Sequence, residues 1–105
     1  MMKTYFTSII EWVDLEKGGR KKIPPKGTRY CPIIQLNDKE RTKWSIEFIC
    51  PDFFKTDVIE FTFLVDNAPI EQIMINKTYN LYEGNKMVAS LYVKKKSKGK
   101  TLDNL

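Results

Sequence analysis

The chain has no histidine, two cysteines, five glycines and five prolines among 105 residues. Without His there is no imidazole base, and Cys31 with Cys50 makes neither a zinc site nor a Cys–His nucleophile. Both are expected as reduced, partly buried thiols. No run approaches the roughly 18 apolar residues of a membrane-spanning helix. The Met-Met-Lys-Thr start leads into no long apolar segment, so no membrane partner and a cytoplasmic location are expected. Nor is there a glycine-rich nucleotide loop: Gly18-Gly19 runs into charges and prolines rather than a helix start, so no nucleotide cofactor is expected. Internal repeats and heptads are also missing.

What is present suits one folded domain. Apolar residues make up 42% and aromatics 12%, enough for a single real core. The net charge of +5 is unevenly spread. Residues 17–29 carry six basic groups (Lys17, Arg20, Lys21, Lys22, Lys26, Arg29) and no acid; residues 94–105 carry five lysines and one aspartate. The remainder holds seven basic and twelve acidic residues. Two basic patches on a mildly acidic body do not describe a uniformly basic nucleic-acid binder. The 17–29 segment is readable as a solvated loop that keeps a sheet edge soluble, or as a docking surface for phosphates or an acidic partner.

Apolar periodicity along the chain is that of short strands. Residues 4–13, TYFTSIIEWV, place Phe6, Ser8, Ile10 and Trp12 on one face and Tyr5, Thr7, Ile9 and Glu11 on the other. Gly18-Gly19, Pro24-Pro25 and Lys26-Gly27 punctuate the basic loop that follows, as two turns flanking a stiff extended crossing. Residues 30–36 form a second strand in which Pro32 marks an edge or a bulge. Residues 37–43 read as a charged hairpin connection. Residues 44–49 alternate, with Trp44, Ile46 and Phe48 on one face. Phe53-Phe54 is expected to plug a barrel end. Residues 58–65 alternate again, with Ile59, Phe61, Phe63 and Val65 inward and Glu60 and Thr62 outward. The isoleucines of residues 70–76 favour an extended segment over a helix. Residues 79–82 and 87–93 flank Glu83-Gly84-Asn85-Lys86, a tight hairpin in which Gly84 and Asn85 can both take positive φ. Six or seven strands with a turn about every ten residues predict an all-β barrel or sandwich. The domain is expected over 1–93, with 94–105 a basic flexible tail, disordered beyond about Lys95.

Two segments resemble the C-terminal β-barrel domain of elongation factor Tu. Glu16-Lys17-Gly18-Gly19-Arg20, a proline-containing loop and Lys26-Gly27-Thr28-Arg29 are similar to the family's opening E-x-G-G-R…K-G-x-R stretch. Ala68-Pro69-Ile70, then residues 79–89 (YNLYEGNKMVA), are similar to its closing P-[IL]…F-x-[IL]-R-E-G-x-[RK]-x-V-[AG] hairpin, with Asn85, Lys86 and Ser90 departing from the usual residues. The pair occurs in order, at about family spacing, over most of residues 5–93. The resemblance implies a small closed six-stranded antiparallel Greek-key barrel, in keeping with the six or seven strands read from the pattern. It also implies a non-catalytic role in which residues near the closing hairpin contact RNA, either tRNA or ribosomal RNA. By position those are Glu83, Gly84, Asn85 and Lys86, with Arg20 and Lys26 on the opening loop; Lys21, Lys22 and Arg29 are binding candidates from the charge of that loop rather than from the resemblance. The sequence has no P-loop, so GTP-driven function is not expected.

Catalysis would fall to carboxylates, Asp52 with Asp57 or Glu60 with Asp66. All four adjoin turns or face outward, where solvated charges are the simpler reading, so no enzyme and no metal site are expected. Trp12, Trp44, Tyr30, Phe53 and Phe54 could stack on bases, although inward aromatics in a small barrel are ordinarily core. The leading expectation is a macromolecule-binding module, RNA being the implied partner. An acidic protein, as for an inhibitor or immunity-type factor, is the alternative.

Overall fold

A computed structural model describes residues 3–14, 22–37 and 43–99. Its strands are β1 (Lys3–Trp12), β2 (Arg29–Tyr30), β3 (Ile33–Gln35), β4 (Lys43–Ile49), β5 (Val58–Phe63), β6 (Thr78–Glu83) and β7 (Lys86–Gly99). All pairings are antiparallel, in the order β2-β4-β3-β6-β7-β1-β5, and a further β4–β5 pairing closes the sheet into a barrel. β2 and β3 follow β1 in the chain but do not pair with it: β2 pairs with β4, and β3 with β4 and β6, which is Greek-key connectivity. Among the described residues no helix is long and apolar enough to cross a membrane.

The second expected strand is present in two pieces. Arg29 pairs with Ile49 and Ile33 with Ser45, so β2 and β3 hold one register against β4 across the break at Cys31-Pro32. Pro32 is fully buried and its carbonyl accepts from Ile46 N (3.1 Å), so only the donor that proline lacks is missing from the ladder.

Alternating faces read from the sequence help to fill the barrel: Phe6, Ile10, Ile46, Phe48, Ile59 and Phe61 are buried, and Ile34, Leu81, Val88, Leu91 and Val93, to which the sequence pattern assigned no face, are buried with them. Phe6 stacks on Phe61 at 5.0 Å between centroids and meets Phe63 edge-on at 6.2 Å. Rings at these distances contribute about 0.5–1.5 kcal/mol beyond the area they bury.

Four local expectations are corrected. β5 stops at Phe63, so Val65 is exposed, whereas Thr62 is buried and donates to the Thr4 carbonyl (2.8 Å). Residues 70–76 are not extended throughout: Ile70–Gln72 form a 3₁₀ turn, with Ile73 buried behind it. Only Gly84 of the hairpin has positive φ (62°), with Glu83 paired to Lys86 across the loop; this is the type II′ pattern, so Asn85 needs no left-handed backbone. Finally, β7 runs on to Gly99 because β1 begins at Lys3 and supplies hydrogen bonds to residues 95–99, apolar burial or not. The described part of the predicted tail, 94–99, is therefore strand; residues 100–105 lie outside the described residues.

Candidate functional site: the loop end of the barrel

β1, β4 and β6 finish at the end of the barrel where β2, β5 and β7 begin. Residues 13–14 and 22–28, connection 50–57 and residues 84–85 therefore lie at that end. The predicted opening loop and closing hairpin, far apart in sequence, share this one end.

Backbone and side-chain bonds tie the three together. Gly27 N donates to Cys50 O and Cys50 N to Thr28 O, both at 2.8 Å, extending the β2–β4 ladder into the loops. Thr28 N donates to Pro25 O (3.1 Å) around Lys26-Gly27, and Gly27 sits at φ 87°, as the third position of a type II turn requires. The Tyr30 hydroxyl donates to the Glu83 carboxylate, joining the base of the opening loop to the hairpin. Beneath these ties the end is plugged by rings. Trp12 contacts Tyr30 at 5.7 Å and Phe53 edge-on at 5.5 Å, and Tyr30 meets Phe48 at 5.5 Å. Trp12 Nε1 is buried there without a partner among the described residues.

The expected Phe53-Phe54 plug is half right. Phe53 packs inward on Trp12, whereas Phe54 is fully exposed. A turn enforces that split: Phe54 N donates to Asp52 Oδ1 (3.0 Å), and Lys55 N and Thr56 N to Asp52 O (2.9 and 3.1 Å). Facing this turn across an open cleft of about 670 Å³ are Lys22, Ile23, Pro24, Pro25 and Lys26. Ile23 is half exposed, as is Ile49 at the adjoining end of β4.

The predicted site residues thus divide. Lys22 and Lys26 line the cleft; Gly84, Asn85 and Lys86 lie on the hairpin at the same end. Glu83 is engaged by Tyr30. Arg29 reaches Glu47 (2.7 Å), and that hydrogen bond, with the Glu47 charge, raises its pKa further above an already high value. Arg20 and Lys21 lie outside the described residues, as do Lys17 and the Gly18-Gly19 turn. Of the other rings proposed for stacking, Tyr30 is buried and Trp12, Trp44 and Phe53 pack against the core. Cys31 is an exposed and Cys50 a buried free thiol. Phe54 and Ile23 carry no sequence signal for exposure: both look like core residues, and only the Asx turn at Asp52 and the Pro24-Pro25 stiffening could have hinted at display. No protein-family model, no curated protein and no solved structure matches this chain.

Proposed function

We propose that the protein is a non-catalytic binding module that presents its loop end to an anionic macromolecule. The observation that carries this is a fully exposed Phe54, its backbone bonded into the Asp52 turn, lining one cleft with Lys22 and Lys26. Phe54 is the one fully exposed ring among the described residues, and with Ile23 it gives the cleft an exposed apolar surface between lysines, as interaction sites have. A binding role without chemistry is supported by the carboxylates considered for catalysis: Asp52 caps a turn, and Asp57, Glu60 and Asp66 face solvent. A cytoplasmic setting accords with two free thiols.

RNA, tRNA or ribosomal, is the partner that the resemblance to the elongation factor Tu barrel implies, and the lysines of the loop and of residues 94–98 suit its phosphates. An acidic protein is the second reading, favoured by aliphatic Ile23, which lines the same cleft as Phe54 and offers nothing to a phosphate. Titration by fluorescence anisotropy with labelled tRNA and with an acidic polypeptide, across a salt series, tests both. Contact with about four phosphates gives log K falling against log salt with a slope of roughly −3. An acidic protein partner gives a shallower dependence, and no affinity for either polyanion at low salt would overturn the module reading.

A further inference from the structure

From the walls of the 670 Å³ cleft we infer that it seats one bulky apolar side chain of an acidic protein partner, an inference that rests on the binding-module reading above.

Both walls are braced by backbone bonds within the chain. One is Ile23-Pro24-Pro25, in which Pro24 is buried, both prolines hold their φ, and the following turn is tied by Thr28 N to Pro25 O and Gly27 N to Cys50 O. The other is Phe53-Phe54, with Phe53 anchored edge-on to Trp12 and Phe54 held out by the Asp52 turn. A guest there costs little ordering, and preorganisation of this kind converts buried area into affinity.

The chemistry of the walls selects the guest. Two consecutive prolines contribute no N–H, which leaves Lys22 and Lys26 as the side-chain donors among the residues that line the cleft. Its floor and sides are aliphatic and aromatic, which suits an aromatic or leucine anchor of the hot-spot kind. Lys22 and Lys26 stand at the rim with Lys55 next along the turn, so carboxylates flanking the anchor are complementary. A second copy of this chain is the wrong occupant, because a two-fold contact would bring two lysine-bearing loops face to face.

The test uses two blocked acidic nonapeptides, one with Trp and one with Ala between four carboxylate residues on each side, titrated into the labelled full chain and followed by amide shifts. The Trp peptide is expected to bind about tenfold tighter than the Ala peptide, an aromatic anchor being worth at least that much. Its shifts are expected to map to residues 22–28 and 52–56. The double variant Ile23→Ser/Phe54→Ala should reduce the Trp peptide to the affinity of the Ala peptide with an unchanged unfolding midpoint. Equal affinities for the two peptides, or shifts mapping elsewhere, overturn the anchor while leaving the polyanion reading intact. A single-stranded oligonucleotide that outcompetes the Trp peptide and depends on Phe54 also overturns it, assigning the ring to base stacking. No affinity for either peptide or the oligonucleotide defeats both readings.

Discussion

The two basic patches of this protein sit at opposite ends of the barrel and are built differently. Lys22 and Lys26 flank a cleft walled by apolar residues, on loops fastened to each other by backbone bonds and plugged from below by rings. Lys94, Lys95, Lys96 and Lys98 lie along the last stretch of β7, whose ladder partner there is β1 alone: pairing to β6 ends at Tyr92, with Val93 bonded to Lys77 and Asn76. Lysines on a strand edge keep other chains from pairing with it, and Lys94 also covers the Tyr92 ring at 5.4 Å. One patch combines charge with a shaped apolar surface; the other is charge on an exposed edge. Similar composition therefore carries different information, and only the first offers a partner more than electrostatic attraction.

Substitutions can sharpen this contrast, beginning with what both ends share. Phe61→Ala, in the centre of the barrel, is expected to cost about 3–5 kcal/mol, read as a lowered urea midpoint, and to weaken both ends together. Tyr79→Phe should affect only the end bearing the lysine strand. The Tyr79 hydroxyl accepts from Met74 N (2.8 Å) and donates to Gln72 O (3.1 Å), so its removal leaves both backbone groups to find water, at about 1–3 kcal/mol. Gly84→Ala should cost about 1–2 kcal/mol at the loop end. No atom would clash with the added Cβ; the penalty is that of holding alanine at φ 62°. Phe54→Ala is expected to change stability by no more than about 0.5 kcal/mol, since the ring is fully exposed, while reducing binding. A large loss of stability would mean that the ring is packed after all.

The barrel itself was legible because alternation at Phe6–Ser8–Ile10, Ile46–Phe48 and Ile59–Phe61–Phe63 states which face is inward, and Glu83-Gly84-Asn85-Lys86 states where the last hairpin turns. Periodicity is silent on how far a strand runs once its partner, not its own side chains, decides. That is why β7 extends through Lys94–Lys98, and why Val65 falls beyond the end of β5. At the loop end, the charge of residues 17–29 was visible but its company was not. The meeting of residues 22–26 with 52–54 depends on β2 and β4 being neighbours, a topological fact, and two adjacent phenylalanines give no clue as to which one a turn will send outward. The Tyr30–Glu83 bond likewise joins residues that the β3–β6 pairing, and nothing local in the sequence, brings together.

The contrast between the patches is tested most directly by reversing charge at each in turn, Lys22→Glu/Lys26→Glu against Lys94→Glu/Lys96→Glu, and titrating both variants with the acidic Trp peptide at a fixed moderate salt. A cleft-bearing binding end predicts that the first pair lowers affinity by about tenfold or more and the second by about twofold or less. Equal losses, or a larger loss from the strand pair, would mean that the lysines act as unshaped charge and that the loop end holds no privileged place.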